Sequence, residues 1–416
     1  MKFSIITLGC KVNSYESEAL KERLVRNGET LAKSYNEADY FFINTCAVTA
    51  EAEKKDLQKA RSIQRNYPKA KIVIMGCSSQ IHKEKYLELE NVVTVIGNSR
   101  KNDVECLLND KNKDQVNLDP RHFAYDDTPT YFGEKNVRGY VKVQDGCDNF
   151  CSYCVVPFTR GNSRSRSKES IIEECKSLIE NGVRELVIGG IDTGSYRDPN
   201  DKSYNLTSLL RDLLSISETP YRIRVSSIEA SQVDDEYIKL FKDNRDKLCP
   251  HFHLPLQSGC EKTLKRMNRK YSLDDFYALT MKLKEEIEGV ALSCDVITGF
   301  PGETEEDFHD TYEFCKKVSF MRIHAFPYSE RPFTMASKLK DVVPVRTRMD
   351  RVKKLIELSD NNDRLFREEH KGQTVKVLIE EKDKNGNYVG YSENYLRFSI
   401  KSEKNIVSSF VDVKID

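Results

Sequence analysis

Four times within its first 108 residues this chain runs from a short apolar stretch into a stretch of helical spacing. Residues 3–8 form the first apolar run, and Ala19, Leu20 and Leu24 then recur at helical intervals over 14–27, with Ser14 placed as the cap. Residues 40–43 precede a helical stretch that opens at Thr49, with Glu51 and Glu53 in its first turn; 71–75 precede a third, and 92–96 a fourth near 103–108. Strands alternating with helices predict a parallel sheet covered on both faces. Such a sheet gathers ligands at the carboxyl ends of its strands, so residues more than thirty positions apart meet there. Cys10, Cys46 and Cys77 each fall just past one of these ends. Singly, each reads as a small apolar core residue; three at equivalent positions argue for a shared site.

A second set of cysteines is compact. Cys147, Cys151 and Cys154 stand in a C-x3-C-x2-C spacing with Tyr153 before the last. Three thiolates this close suit three irons of a cubane [4Fe-4S] cluster, leaving the fourth iron open to substrate or cofactor. Structural zinc is the rival reading, but it asks for four ligands, usually as two short pairs, and no Cys or His follows at finger-like distance. A disulfide framework is disfavoured because a chain of this size with no secretory leader reads as cytoplasmic, where thiols stay reduced. Cys106, Cys175, Cys249, Cys260, Cys294 and Cys315 have no partner at motif spacing and read as packing.

Lys+Arg and Asp+Glu each number 66, so no global field announces nucleic acid. No apolar run reaches the roughly 20 residues needed to span a bilayer. Any RNA contact must therefore be local. Arg160, Arg164 and Arg166 follow the compact triad directly and are candidates for gripping phosphate.

A polar stretch from about 109 to 136, punctuated by Pro120 and Pro129, reads as a linker. Beyond it, predicted strands at 139–144, 185–188, 222–226, 251–255, 291–297 and 322–326 alternate with helical stretches, such as 168–181 and 206–216. About six βα units fit an open, partial barrel rather than a closed eightfold one. Glycine and polar residues at 188–194, 226–229, 253–259 and 295–304 occupy strand ends, where a barrel builds its active site. The first of these lacks the GK[ST] ending of a phosphate-binding loop. The last segment offers short strands at 374–380, 388–391, 395–400 and 411–415, with an Asn-Gly hairpin signal at 384–387. A small β-barrel of this kind with exposed Tyr, Arg and Lys is suited to tracking a nucleic-acid backbone.

The compact triad with its aromatic resembles the radical S-adenosylmethionine (SAM) enzymes. Thr7-Leu8-Gly9-Cys10-Lys11-Val12-Asn13, Ile43-Asn44-Thr45-Cys46-Ala47 and Met75-Gly76-Cys77 are similar to the amino-terminal domain of the methylthiotransferases, and the resemblance covers almost the whole chain. It implies an α/β fold in three parts: a Rossmann-like amino-terminal domain (1–112), then after a linker (113–136) a partial (β/α)6 radical SAM barrel (137–369), and a small antiparallel β-barrel like the RNA-binding TRAM domain (370–416). It implies two [4Fe-4S] clusters, one on Cys147, Cys151 and Cys154 that binds SAM, and an auxiliary one on Cys10, Cys46 and Cys77 that takes part in sulfur delivery. By the same resemblance Tyr153, Gly189, Gly190, Ser227, Glu229, His253, Gln257, Phe326 and Tyr328 would contact SAM; read alone, the glycines are turns, His253 a satisfied core histidine and Phe326 packing.

The family's reaction adds a methylthio group to C2 of an adenine beside the tRNA anticodon, or to a ribosomal-protein aspartate. Gly9-Cys10-Lys11-Val12-Asn13 and Gly190-Ile191-Asp192-Thr193-Gly194 look most like the subgroup acting on N6-threonylcarbamoyladenosine, with the N6-isopentenyladenosine and aspartate subgroups as alternatives. Implied partners are the tRNA anticodon loop, an electron donor such as a flavodoxin or ferredoxin, and a sulfur source; no membrane partner is expected. Two stretches depart from the family: Lys54-Lys55-Asp56-Leu57 lacks the full basic pair, and Arg331-Pro332-Phe333-Thr334-Met335-Ala336 lacks the usual Gly-Thr-Pro. Outside the class stand a non-catalytic iron-sulfur RNA-binding protein and a zinc-stabilised RNA adaptor.

Overall fold

The first four apolar runs become parallel strands. A computed structural model describes residues 1–108, 110–117, 119, 123, 125, 127–130 and 137–416. Its first sheet contains β1 (Lys2–Thr7), β2 (Thr30–Leu31), β3 (Tyr40–Thr45), β4 (Lys71–Gly76), β5 (Val92–Ile96) and β6 (Asp114–Gln115), in the order β2-β1-β3-β4-β5-β6 and parallel throughout. The order 2-1-3-4-5 is the flavodoxin-like doubly wound arrangement, which opens a ligand crevice between the carboxyl ends of β1 and β3. Side chains alternate between two covered faces, so the strands read as unbroken apolar runs. Phe41, Ile43, Ile72 and Ile74 pack with Ala60 and Ile63 on one face. Phe3, Phe42, Val73 and Met75 pack with Leu20 and Leu24 on the other.

Two local expectations need correction. The first helix spans Lys11–Arg26, and its cap is Cys10 rather than Ser14. Lys11, Val12 and Asn13 break the apolar rhythm because Asn13 turns its amide back to the carbonyls of Leu8 (2.8 Å) and Thr45 (2.9 Å). The second difference is β6, which lies inside the expected linker. As an edge strand of two residues it carries no periodic signal and tolerates polar side chains. Of that linker, Pro120 and residues 118, 121, 122, 124, 126 and 131–136 lie outside the described residues, as does Asn109 at the start of the polar stretch. The helical stretch expected from Thr49 is the helix Ala50–Asn66, capped by Thr49, whose hydroxyl accepts the Ala52 N–H at 3.1 Å.

Chain contacts divide the protein into two units. One holds Met1–Phe132 with Gln144–Arg166 and Ser329–Ser337, so the compact cysteine loop and a later excursion both side with the amino-terminal sheet. The other holds Gly133–Val143, Ser167–Tyr328 and Lys338–Asp416.

In the second unit six parallel strands follow chain order: Arg138–Lys142, Glu185–Gly189, Arg222–Val225, His251–His253, Ala291–Thr298 and Arg322–Pro327. The first three and the last three form separate sheets, bridged where Ile223 meets Leu248. This is the open six-stranded barrel. Val141, Leu186, Ile188, Ile223, Leu292 and Val296 belong to one large core that also takes Leu178, Leu209 and Phe241 from the surrounding helices.

The carboxyl-terminal residues form an antiparallel four-stranded sheet, ordered Arg397–Ile400, Tyr388–Tyr391, Thr374–Lys382, Phe410–Lys414. Gly386 sits at φ +84° in its hairpin turn, a conformation the Asn-Gly pair supplies. The sheet shares a core with Ala291 and Met321 of the barrel. Arg222 donates to the carbonyls of Lys376 and Tyr391 (3.0 Å each), and Arg224 to those of Glu393 (3.0 Å) and Ser392 (3.1 Å). Arg222, His251 and Ala291 open their strands, so the sheet docks at the amino ends of the barrel, away from the catalytic rim. The expectation of exposed tyrosines is corrected here: Tyr388 is buried, and Tyr395 stacks against His251 and Tyr391 under the Arg224 guanidinium.

Candidate functional site

Three strand ends carry the scattered cysteines, and a polar lattice draws those ends together. Cys10 follows β1 by three residues, while Cys46 and Cys77 follow β3 and β4 directly. Asn44 donates to the Asn13 carbonyl (3.0 Å) and the Ser17 hydroxyl (3.1 Å). Thr45 donates to the Met75 carbonyl (2.7 Å) and accepts from the Ser79 N–H (3.2 Å). These bonds are why Asn, Thr and Ser recur around the cysteines in the sequence: each satisfies a backbone group that the strand ends leave open. Gly9 adopts φ +101°, and a Cβ there would lie 2.7 Å from the Cys46 sulfur. Only glycine lets the first loop approach the second this closely.

Burial raises the pKa of two of these thiols. It pushes Cys10 up, an effect opposed by the nearby Arg160 guanidinium, and drives Cys46 up to about 12 with help from the charges of Cys77 and Cys10. Ligation by metal removes such protons. Asp56, fully buried, accepts the Cys46 N–H at 2.7 Å, and burial raises its carboxyl to about 8. Asn98 donates to the Cys77 sulfur at 3.6 Å and to the Thr159 carbonyl at 2.7 Å.

The compact triad belongs to the same unit. Its loop is closed by Cys147 N–H to the Gly161 carbonyl (3.0 Å) and Cys154 N–H to the Cys151 carbonyl (2.9 Å), and the Asn149 N–H points at the Cys147 sulfur at 3.5 Å. Gly146, at φ +70°, lets the chain pass against Asn162, whose carbonyl oxygen would be 2.0 Å from a Cβ. Val155, next to Cys154, packs with Ala47 and Cys77 in one small apolar cluster edged by Phe158. The two triads therefore adjoin. Among the described residues no three Cys, His, Asp or Glu side chains form a group that holds a single metal ion. A cubane binds each thiolate to a different iron.

The three arginines after this loop do not form a phosphate grip. Arg160 is 1% exposed and donates to Glu16 (2.8 Å), Asp145 (3.1 Å) and Asn13 (2.8 Å). Burial disfavours its charge, but Cys77, Glu16 and Asp145 more than offset this and hold its pKa well above the ordinary guanidinium value. Arg164 donates to Asp145 at 2.9 Å, and buried Arg166 lies 2.6 Å from Asp127 and donates to the Tyr15 hydroxyl. A buried guanidinium is tolerated only with such partners. The donor set suits a cluster at both triads: three thiols each, N–H groups aimed at sulfur, and a buried cation beside the auxiliary set.

The residues expected to meet SAM lie at the carboxyl ends of barrel strands, apart from Tyr153 in the cysteine loop. A Cβ at Gly189 would lie 2.5 Å from the Tyr140 hydroxyl and 2.4 Å from that of Ser226. Tyr328 is buried against Phe300 and Arg348. His253 is held between the Ser293 hydroxyl (3.0 Å) and Asp295 (3.2 Å), and Glu229 pairs with Arg269. Phe326 is exposed. Cys175, Cys249, Cys260, Cys294 and Cys315 are buried as packing residues, whereas Cys106 is exposed. Asp56, Asn98 and Asp145 are site residues that sequence reasoning passed over, for they carry no spacing signal.

The arrangement of an open barrel with a three-cysteine loop defines a class, and residues 141–315 match the Radical SAM superfamily. Residues 2–97 match an uncharacterized protein family designated UPF0004. The chain is 36% identical over 420 residues to threonylcarbamoyladenosine tRNA methylthiotransferase MtaB of Bacillus subtilis, covering 98% of this chain and 92% of that protein. It is 37% identical to the Thermotoga maritima protein of the same name, covering 99% and 93%, and 32% identical to tRNA-2-methylthio-N(6)-dimethylallyladenosine synthase of Finegoldia magna, covering 99% and 91%. The chain belongs to the radical SAM tRNA methylthiotransferase family. In fold it is similar to the radical SAM methyltransferase TsrM of Kitasatospora setae, with TM-score 0.61 at 14% identity over 80% of this chain and 76% of that one. Membership brings SAM and a [4Fe-4S] cluster as cofactors. No helix among the described residues is long and apolar enough to cross a membrane.

Proposed function

We propose that this enzyme places a methylthio group on C2 of the N6-threonylcarbamoyladenosine beside the tRNA anticodon, with Cys147, Cys151 and Cys154 holding the SAM-binding cluster and Cys10, Cys46 and Cys77 a second one. The observation that carries the reading is the shared packing of Val155 with Ala47 and Cys77, which sets the two triads side by side in one unit. When bound, SAM and the clusters supply a methyl group for sulfur and, on one-electron reduction, a 5′-deoxyadenosyl radical for a C–H bond that side-chain acids and bases cannot activate. The chain's own groups prepare the ground for this chemistry. With clusters bound, the Arg160 guanidinium would offset thiolate charge beside Cys77, and the N–H groups of Asn98 and Asn149, which bond sulfur, would tune the cluster potential.

By resemblance to the family, Tyr153, Gly189, Gly190, Ser227, Glu229, His253, Gln257, Phe326 and Tyr328 are the groups proposed to contact SAM. The proposed partners are the tRNA anticodon loop, a flavodoxin- or ferredoxin-like electron donor and a source of sulfur. Higher identity to the threonylcarbamoyladenosine enzymes than to the dimethylallyladenosine enzymes supports the substrate choice.

The test offers the iron-loaded enzyme, with SAM, dithionite and sulfide, two anticodon stem-loop RNAs that differ only in carrying threonylcarbamoyladenosine or isopentenyladenosine. Thiolation of the first is expected to exceed that of the second by on the order of 10²-fold, as a site that hydrogen-bonds one substrate's polar group discriminates against an analogue lacking it. The reverse preference would move the protein to the other subgroup.

A further inference from the structure

We infer that Phe333 and Phe150 form a platform on which an unpaired RNA base stacks, next in the strand to the one that reacts; the inference rests on the proposed tRNA substrate. Phe150 directly precedes Cys151, and Phe333 lies on the Ser329–Ser337 excursion that returns to the cysteine unit. They are 52% and 59% exposed, the two most exposed phenylalanines among the described residues. Phe158 joins them, with ring centroids 6.2 Å from Phe150 and 6.0 Å from Phe333. The linked rings of Phe150, Phe158 and Phe333 stand beside the compact cysteine loop and present π-faces to solvent. It is the arrangement single-stranded RNA requires, because every base presents a π-face.

Both phenylalanines also adopt left-handed backbone, at φ +48° and +68°. A bulky residue there is strained and persists only where its surroundings over-determine it, as happens at binding sites. The surroundings of Phe333 do so. Arg331 forms a buried ion pair with Glu53 at 2.6 Å, Thr334 donates to the Arg331 carbonyl (2.7 Å), Ser337 to the Thr334 carbonyl (2.7 Å), and the Ala336 N–H to the Ser152 carbonyl (2.8 Å). The excursion is thus fastened to the helix after Cys46 at one end and to the compact cysteine loop at the other, with Phe333 between the fastenings.

The test measures binding of an anticodon stem-loop RNA with 2-aminopurine at the position following the modified adenosine, using the iron-loaded enzyme. Wild-type protein is expected to quench the fluorescence on binding. Phe333→Leu, which keeps an apolar side chain but no ring, is expected to weaken RNA affinity about tenfold and relieve the quenching, and Phe333→Trp to restore both. Should Phe333→Leu lose its iron, Phe150→Leu is read in its place with the same expectation. Unchanged affinity and quenching in the leucine variants would overturn the platform and leave the tRNA reading standing. Weakened SAM affinity with RNA affinity intact would overturn it in favour of a SAM contact. Failure of the wild-type protein to bind the stem-loop would sink the tRNA reading and the platform together.

Discussion

Replacing Cys147 with alanine is expected to stop reductive SAM cleavage, a loss on the order of 10⁶-fold, the low end of enzymatic rate enhancements. Cys77→Ala is expected to keep cleavage and lose thiolation. The asymmetry follows from how the two triads are built. Cys147 sits in a loop closed by its own N–H bond to Gly161 and by Gly146 passing against Asn162, so its thiol has no substitute within the loop. Cys77 opens the short helix Cys77–Ile81 at the end of β4, where Ser79 and Thr45 hold the backbone whatever side chain stands at 77. Arg160 retains Glu16 and Asp145 when Cys77 is lost, so the loop after the compact triad keeps its anchors. Release of 5′-deoxyadenosine and formation of the methylthio nucleoside, measured in the same reactions, separate the two roles. Thiolation surviving in Cys77→Ala would contradict the two-cluster account.

Glu185→Gln is expected to destabilise the barrel by about 3–5 kcal/mol, the range found when one partner of a buried ion pair is removed. Glu185 is fully buried and faces three guanidiniums: Arg138 at 2.7 Å, Arg222 at 2.6 Å and Arg224 at 2.9 Å. Burial opposes its ionisation, but Arg224, Arg222 and Arg138 prevail and hold its pKa well below the ordinary 4.5. Because the folded value is depressed, its stabilisation is fully present above the unfolded value and disappears as pH falls through the folded one. Denaturant midpoints should therefore be level from neutral pH down to about 5 and decline below it, with a smaller decline in Glu185→Gln. The same guanidiniums donate to carbonyls of the carboxyl-terminal sheet, so the variant should also expose that sheet to proteolysis. An unchanged acid limb would remove Glu185 from this role.

Much of this architecture was legible because it is written in local signals. The apolar runs at 40–43 and 71–75 carry β3 and β4, and strand ends locate Cys46 and Cys77 without knowledge of any contact. The compact triad is a spacing, and spacing survives in sequence. What the sequence concealed is long-range. Three arginines in seven residues look alike on paper, whether they await phosphate or are buried; the partner that decides for Arg160 is Glu16, 144 positions away. Tyrosines of the last segment read as exposed, and the stacking of Tyr395 on His251 is a long-range contact that its sequence does not announce. The excursion at Ser329–Ser337 sits far along the chain from the sheet it joins, and long-range pairings such as that of Arg331 with Glu53 reveal the attachment. Gly189 marks a close approach, as glycine does, and the groups that a Cβ there would meet, Tyr140 and Ser226, come from neighbouring strands that its spacing does not announce.

The most direct measurement is mass spectrometry of nucleosides from the tRNA of cells lacking this gene, with and without the gene restored. Loss of 2-methylthio-N6-threonylcarbamoyladenosine, its return with the wild-type gene and its continued absence with the Cys77→Ala gene are the predicted results. Persistence of that nucleoside in the deleted strain would contradict the proposed reaction.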